Sequence, residues 1–346
     1  MSMKMRVGLI GTGMVAGTYV DALASAGERF DLVSVAASGI ASAEAFVTKH
    51  GLSATPTTVE AMAADASLDF VMLTTPPNAR LDIVQALVAA KTPVLMEKPV
   101  ERTLAAATQI VEICEQADVP LGIMFQHRAR PSAQAMRDLL QTRDTGSLHA
   151  VEISVPWWRP QAYYDEPGRG SYARDGGGVL ISQAIHTLDL ALTFTGAPTQ
   201  VQAMIATSGF HDMEAEDFVS AGVTFDNGAV GHVFASTASH PGRAEEIILH
   251  YAKFSVRLQS NMLEITDQKT GDTETIGASA ATGAGADPMA FTSDWHRFMI
   301  ENFADHLRDR TPLHAPGRSA LAVHRLIAAI EMSGRQGRKV SMDEVV

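Results

Sequence analysis

Between residues 5 and 125, short apolar runs ending in Gly, Pro or Ser alternate with longer Ala-rich stretches of helical spacing, and few folds accommodate that alternation. It is the mark of βαβ units around a parallel sheet. Strands are expected at Arg6–Ile10, Leu32–Ala37, Phe70–Thr74, Val94–Met96 and Leu121–Phe125. Each is almost uniformly apolar, as strands covered by helices on both faces must be. Helices are expected between them, with Ala22–Ala26, Ala41–Lys49, Val59–Ala64, Leu81–Ala90 and Leu104–Gln116 as their clearest parts.

The first strand runs into Gly11-Thr12-Gly13-Met14-Val15-Ala16, a G-x-G-x-x-G/A sequence where a dinucleotide fold needs it. Gly11 permits the tight turn, Gly13 lets the backbone approach a pyrophosphate, and Ala16 lets the helix pack closely on the strand. The start of that helix offers unpaired N–H groups to phosphate oxygens, so Gly11, Thr12, Gly13, Met14 and Val15 are candidate cofactor contacts. An acid at the end of the second strand selects NAD and an arginine accommodates NADP. Here the strand ends in Ala36-Ala37-Ser38-Gly39, and Ser38 can donate to a hydroxyl or to a phosphate oxygen, so NAD and NADP both stay open. Asp31 opens the strand and lies at the opposite edge of the sheet.

Charge and cysteine content narrow the partners. Thirty-nine acids against 27 Lys plus Arg leave a formal charge of −12, and no run of five or six basic residues occurs, so nucleic acid is not expected. Cys114 is the single cysteine, which excludes an internal disulfide or a Cys-rich metal site. His211, His232, His240 and His250 show no metal-ligand spacing, so no metal is expected either. The first residues lack the apolar core of a signal peptide and no stretch approaches ~18 apolar residues, so a cytoplasmic protein without membrane spans is expected.

From about Gln126 the pattern changes. A short helix through Met136–Leu140 precedes a strand at Leu148–Val155, and then comes a loop holding Trp157, Trp158, Arg159, Tyr163, Tyr164, Arg169, Tyr172 and Arg174. Two of three tryptophans and three of five tyrosines fall there, which reads as a wall over a polar ring-shaped ligand with Tyr163 and Arg169 touching it. The alternative is that these rings pack an interface. Gly176-Gly177-Gly178 leads into a helix over Val179–Thr195, closed by Gly196 and Pro198. On it Ser182, His186 and Asp189 stand at i, i+4 and i+7 and share a face, so His186 can take a proton with Asp189 orienting it. A lone histidine on such a helix is otherwise a satisfied core residue. Phe218–Phe225, Ala229–Ala235, Glu246–Tyr251, Phe254–Gln259 and Met262–Thr266 read as an antiparallel sheet with a hairpin at Asn227-Gly228. Residues 278–287 read as a mobile loop, and two helices, Thr292–Arg308 and Ser319–Arg335, finish the chain.

Thr74-Thr75-Pro76-Pro77-Asn78 after one strand, Glu97-Lys98-Pro99 after the next, the Gly-rich turn, and Gly176-Gly177-Gly178 followed by His186-x-x-Asp189 form a set. In that order they resemble the glucose-fructose oxidoreductase, inositol dehydrogenase and rhizopine-catabolism (Gfo/Idh/MocA) family of nicotinamide-dependent oxidoreductases, over nearly the whole chain. The resemblance implies a doubly wound Rossmann domain over 1–125. It is followed over 126–346 by an α/β domain with a large, mostly antiparallel open sheet that often serves oligomerisation, as a dimer or tetramer. The C-terminal helices are free to pack back on the first domain, and the substrate is expected between the two.

By the same resemblance Lys98 sits near the nicotinamide and the reacting carbon. Its position just past the carboxyl end of a parallel strand, the ligand edge of such a sheet, agrees. Thr75, Pro76 and Asn78 would line the cofactor, and Gln126 would touch the nicotinamide amide. Glu97 would contact the cofactor or serve as a local ion-pair partner. Many relatives carry Asp where this chain has Ser182, which shifts the acid/base work to Lys98 and His186, with Ser182 and Asp189 in support. Lys98, His186, Tyr163 and Arg169 are the candidate substrate contacts. The expected activity is an NAD(P)-dependent dehydrogenase or reductase on a secondary alcohol or hemiacetal of a sugar, inositol or related polyol. Alternatives on the same fold are a dihydrodiol-dehydrogenase-like enzyme, a glycosidase or lyase using transient oxidation, and a non-catalytic nicotinamide-binding sensor.

Overall fold

The computed structural model describes residues 4–285 and 287–345. Its elements run β1 (Met5–Ile10), α1 (Ala16–Ser25), β2 (Phe30–Ala36), α2 (Ile40–Lys49), β3 (Thr55–Thr57), α3 (Val59–Ala63), β4 (Phe70–Leu73), α4 (Arg80–Ala89), β5 (Val94–Glu97), α5 (Leu104–Gln116) and β6 (Leu121–Met124). They continue α6 (Pro131–Thr142), β7 (Leu148–Pro156), α7 (Gln161–Tyr164), α8 (Ile185–Thr195), β8 (Pro198–Ala206), β9 (Phe218–Phe225), β10 (Val230–Ser236), β11 (Glu246–Tyr251), β12 (Phe254–Gln259), β13 (Met262–Asp267), β14 (Thr273–Ile276), α9 (Asp294–Asp309), α10 (Gly317–Gln336) and β15 (Val340–Ser341). Two compact units result. One holds the residues through Glu101 with Ala105–Gln126 and Ser293–Ala320, and the other holds Arg102–Leu104, His127–Thr292 and the residues from Leu321 on. The first unit therefore takes in α9 as well as the N-terminal segment.

The first unit is a six-stranded parallel sheet in the order β3-β2-β1-β4-β5-β6. Every residue of β4, β5 and β6 is buried, which is why these strands are continuous apolar runs. β3 reads Thr-Pro-Thr and carries no apolar signal; it is an edge strand, where a proline is tolerated. The far edge is covered as well, since the Ile123 N–H donates to the Ala315 carbonyl at 2.9 Å and Gly122 bridges to Pro316. Over it lies Phe303 of α9, fully buried and edge-on to Phe70 at 5.3 Å. A Cβ on Gly122 would come within 2.7 Å of the Phe303 ring, so the strand needs glycine there to let the helix dock.

The second unit is built on nine strands in the order β14-β13-β12-β11-β7-β10-β9-β8-β15, of which only the β7–β10 pair is parallel. The expected hairpin is present: β9 and β10 pair antiparallel, and Gly228 takes φ +84° in the turn. β8, β14 and β15 are additions to the expected strands. β8 alternates polar and apolar residues but opens on Pro198 and carries two glutamines, so its apolar signal is weak. Of the segment expected as a mobile loop, residue 286 lies outside the described residues. Its neighbours are anchored, the Ala284 carbonyl accepting from the Trp158 N–H at 2.9 Å and the Gly285 carbonyl from Arg159 at 2.5 Å.

The helix expected over 179–195 is not uniform. Leu180–Ala184 forms a π-helical turn and α8 begins at Ile185. Ser182 therefore lies in a π-helical turn and not in the regular α-helix expected for it. His186 and Asp189 remain on α8, three residues apart.

Glu216 grips the start of this segment. Its carboxylate accepts from the backbone N–H groups of Gly178 and Leu180, both at 3.1 Å, and its carbonyl accepts from Val179 at 2.8 Å. The grip leaves no room for a side chain at 178, where a Cβ would lie 1.8 Å from the Glu216 carbonyl oxygen. Beside it stands Glu331 of α10: a Cβ on Gly177 would be 3.2 Å from one Glu331 oxygen and 3.9 Å from one of Glu216. Arg335 pairs with Glu331 at 2.9 Å and lies over the Tyr172 ring. Burial and the neighbouring Glu216 charge push the Glu331 carboxyl up to about 7, against the pull of Arg335.

Phe303→Ala should lower the unfolding free energy by about 3–5 kcal/mol in chemical denaturation, the usual result of emptying a fully buried aromatic site. Between the ordinary carboxyl value of 4.5 and about 7, the unfolded chain releases the Glu331 proton while the folded protein retains it, so stability falls as pH rises through that window. The melting temperature of Glu331→Gln should therefore exceed the wild-type value at pH 8 and converge with it near pH 4.5. Parallel curves across that range would remove the role assigned to Glu331.

Candidate active site

In the first unit the cofactor candidates gather at the carboxyl ends of β1, β4 and β5, where the strand order reverses. Gly11 has φ +105°, and a Cβ there would lie 2.8 Å from atoms of Thr74 and Thr75, so the turn after β1 is wedged against the loop after β4. The Thr74 hydroxyl donates to the Gly11 carbonyl at 2.9 Å and fixes that contact. Nothing lies within 4 Å of where a Cβ on Gly13 would stand. Gly13 and Met14 are exposed while Ala16 is fully buried, so the turn presents open backbone at the head of α1. That open backbone fits a pyrophosphate. Ser38 and Gly39 are exposed at the end of β2 and Ile40 beside them is 45% exposed, which leaves both NAD and NADP admissible.

Pro76 and Asn78 are exposed and Thr75 is half-buried on the same edge. A residue without a motif of its own holds this loop. Arg80, 2% exposed at the start of α4, donates from Nε and Nη2 to the Thr75 carbonyl at 3.1 and 2.7 Å, and from Nη1 to the carbonyls of Glu97 and Pro99. It ties the loop after β4 to the one after β5. Burial pulls its guanidinium down to about 10.

Glu97 is buried: its carboxylate accepts from the Tyr19 hydroxyl at 3.0 Å and from the Lys98 N–H at 3.0 Å, and faces His296 of α9 at 3.8 Å. Burial alone would raise this carboxyl, but the hydrogen bond and charge of His296, with Lys98 and Arg80, hold it below its ordinary value. Its side chain thus has local partners on three sides. Lys98 is half-buried at the end of β5. Gln126, 6% exposed, has a buried Oε1 that no donor reaches among the described residues. An amide N–H is the partner that acceptor lacks.

In the second unit His186 is 6% exposed, and its ring stacks on His127 at 4.8 Å and 28°. Arg130 reaches His127 Nε2 at 2.6 Å, and because a guanidinium only donates, that nitrogen accepts. Arg130 also pairs with buried Glu245 at 2.6 Å, and Glu245 takes the Trp157 indole N–H at 2.9 Å. Both oxygens of Asp189 accept from Arg128, at 2.7 and 2.5 Å, so the carboxylate expected to orient His186 has Arg128 as its charge partner. His127, Arg128 and Arg130 thus build the surroundings of His186. Their signal in the sequence is the run Gln126-His127-Arg128-Ala129-Arg130 directly after the last parallel strand.

The aromatic segment divides in two. Trp157 and Tyr164 are core residues, Tyr164 bonding Thr237 at 2.7 Å, while Trp158 packs among Phe210, His211 and His240. Tyr163 and Arg169 do come together: the Tyr163 hydroxyl accepts from Arg169 at 2.9 Å and from Gln183 Nε2 at 3.2 Å. Gln183, in the π-turn beside Ser182, keeps a buried Oε1 that no donor reaches among the described residues. No cluster of three metal-ligating side chains and no helix long and apolar enough to cross a membrane occurs among the described residues.

Residues 5–125 match the oxidoreductase family's NAD-binding Rossmann fold, and residues 133–257 match the GFO/IDH/MocA C-terminal domain. The chain is 28% identical over 228 residues to the 1,5-anhydro-D-fructose reductase of Ensifer adhaerens, covering 65% of this chain and 67% of that one. It is 28% identical to the D-apiose dehydrogenase of Paraburkholderia graminis over 82% of this chain and 75% of that one. Among solved structures it is similar to the WlbA dehydrogenase of Bordetella pertussis in complex with NADH and UDP-GlcNAcA. That match has a TM-score of 0.84 at 25% identity and covers 98% of each chain. With a parallel 3-2-1-4-5-6 sheet, an open glycine turn at its switch point and both family domains in order, the chain belongs to the Gfo/Idh/MocA family of NAD(P)-binding oxidoreductases.

Proposed function

We propose that the protein transfers a hydride between a nicotinamide and a secondary alcohol or hemiacetal carbon of a sugar, inositol or related polyol, with Lys98 and His186 as its acid/base groups. The observation that carries this is the placement of Lys98 at the carboxyl end of β5, on the same sheet edge as the Gly11–Gly13 turn. The sugar-directed names of the anhydrofructose reductase and the apiose dehydrogenase support the substrate class. Exposed Met204 and Val230, on strands of the nine-stranded sheet, offer apolar surface to a second copy and support a homo-oligomer.

When bound, the nicotinamide supplies the carbon that accepts or gives the hydride. The chain supplies the rest. Backbone N–H groups from Gly13 to Val15 hold the pyrophosphate, Thr75, Pro76 and Asn78 flank the ring-bearing half, and Gln126 Oε1 takes an amide N–H. In the oxidative direction the substrate hydroxyl loses its proton to His186 or Lys98 as its carbon loses hydride. Lys98, Tyr163 and Arg169 orient the remaining hydroxyls, and Ser182 stands where a carboxylate would otherwise assist.

Lys98→Ala and His186→Ala should each lower kcat by about 10²–10⁴-fold on D-xylose, D-galactose, D-apiose or myo-inositol, followed by NAD(P)H absorbance. The His186 variant should still bind cofactor in a fluorescence titration. Activities that survive both substitutions would sink the assignment. Because the end of β2 offers neither acid nor arginine, NADH and NADPH should bind with affinities within about tenfold of each other. A separation beyond a hundredfold would point to a selecting residue elsewhere.

A further inference from the structure

Arg159 is 2% exposed, and its guanidinium lies over the rings of Trp157 at 5.2 Å and Tyr163 at 5.7 Å. Only Nη1 has acceptors: the Trp158 carbonyl at 2.8 Å and the Gly285 carbonyl at 2.5 Å. Nε is buried with no acceptor, and no carboxylate lies within 4.0 Å of the group among the described residues. The other cations of this segment have a carboxylate partner, since Glu166 pairs with Arg169 at 2.5 Å and with Arg174 at 2.7 Å. Asp287 acts on Arg159 from beyond ion-pair distance, and Arg169 opposes it with like charge. Buried charges are ordinarily paired, and the edge of a guanidinium formed by Nε and Nη2 matches a carboxylate with two parallel N–H···O bonds. Here that edge has no partner among the described residues, while Nη1 and the two rings hold the group in place. Burial also lowers the guanidinium from its ordinary value, so an anion that reaches it relieves a standing cost.

Arg159 adjoins the residues already assigned to substrate. Tyr163, under its guanidinium, receives the Gln183 amide at 3.2 Å, and Gln183 precedes His186 by three residues. We propose that Arg159 is a carboxylate-binding residue and that the substrate is a sugar acid, a polyhydroxylated carbon chain or ring bearing one carboxylate. The carboxylate docks on the Nε–Nη2 edge of Arg159, and a neighbouring hydroxyl of the acid donates to the unsatisfied Oε1 of Gln183. The substrate class deepens the dehydrogenase reading and rests on it, whereas the binding claim for Arg159 stands on the second unit alone.

Matched pairs that differ in a carboxylate test this: D-galacturonate with D-galactose, D-glucuronate with D-glucose, and D-gluconate with D-glucitol. Each is assayed for turnover with NAD⁺ and NADP⁺, and for binding by calorimetry in the presence of the reduced cofactor. At least one acid should exceed its neutral partner in kcat/KM by tenfold or more. Arg159→Gln should reduce kcat/KM for that acid by about 10²–10³-fold, as expected when a buried charged hydrogen-bond pair loses one member. Arg159→Lys, which keeps charge but loses the fork, should recover only part of it. Neutral sugars used as well as or better than their acids by the wild-type protein would overturn the Arg159 assignment and leave the dehydrogenase reading standing, even were the variants not to fold. Acids that bind through Arg159 without any turnover would uphold the site and count against the dehydrogenase. Failure of every acid to bind would overturn the proposal.

Discussion

A buried guanidinium is tolerable only where oxygens surround it, and at Arg80 those oxygens belong to the two loops that border the ligand edge of the first unit. Helix α4 presents the group and the carbonyls of Thr75, Glu97 and Pro99 close around it, so one side chain sets the separation of the Thr75–Asn78 and Glu97–Pro99 segments. The Glu97 carboxylate then takes the Lys98 N–H and the Tyr19 hydroxyl, which locks the backbone at Lys98 from the other side. The position of Lys98 is thus imposed by packing beneath it and not by the loop's own preferences.

The second unit pairs two of its buried cations with carboxylates. Arg128 and Arg130 are each matched to a buried carboxylate, Asp189 and Glu245, and between them hold the segment carrying His127 against α8. Such pairs add little to net stability, because desolvation offsets most of the attraction, but losing one member leaves an uncompensated charge. Their use here is orientation. The His127 ring on which His186 stacks is fixed by Arg130, and Arg130 is fixed in turn by Glu245, which also takes the Trp157 indole N–H.

How far the sequence shows this depends on whether a residue acts through pattern or through partnership. The parallel sheet and the Gly11–Ala16 turn are legible because periodicity and glycine placement carry them. The hairpin at Asn227-Gly228 and the terminal helices are legible for the same reason. β3 and β8 are not, since a Thr-Pro-Thr edge and a proline-led, glutamine-bearing strand owe their state to neighbouring strands. The same holds at the candidate site. Gly11, Lys98 and His186 stand in recognisable surroundings, whereas Arg80, Arg130, Glu216 and Glu331 matter through partners the fold brings up, among them Pro99, Glu245, Gly178 and Glu216, a relation that no local spacing encodes. The Trp157 and Tyr164 rings show the reverse: their clustering signals a ligand wall, yet their side chains fill the interior and leave Tyr163 to face the polar residues.

The π-helical turn at Leu180–Ala184 has a consequence for how this segment compares with relatives of other lengths. A π-turn is one residue more than the α-helix needs, so removing a single residue from it would restore α-helical winding without breaking the helix. Every side chain upstream of the deletion would then rotate about 100° around the axis relative to α8. Ser182 and Gln183 would exchange directions with their neighbours while His186 kept its own. Elsewhere in a helix such an insertion or deletion would throw the apolar face off the core. Here the fold holds a slack residue between the Glu216 grip and the histidine, and a gap of one in an alignment would mark a change of the side chains on that face of the segment, not a loss of fold.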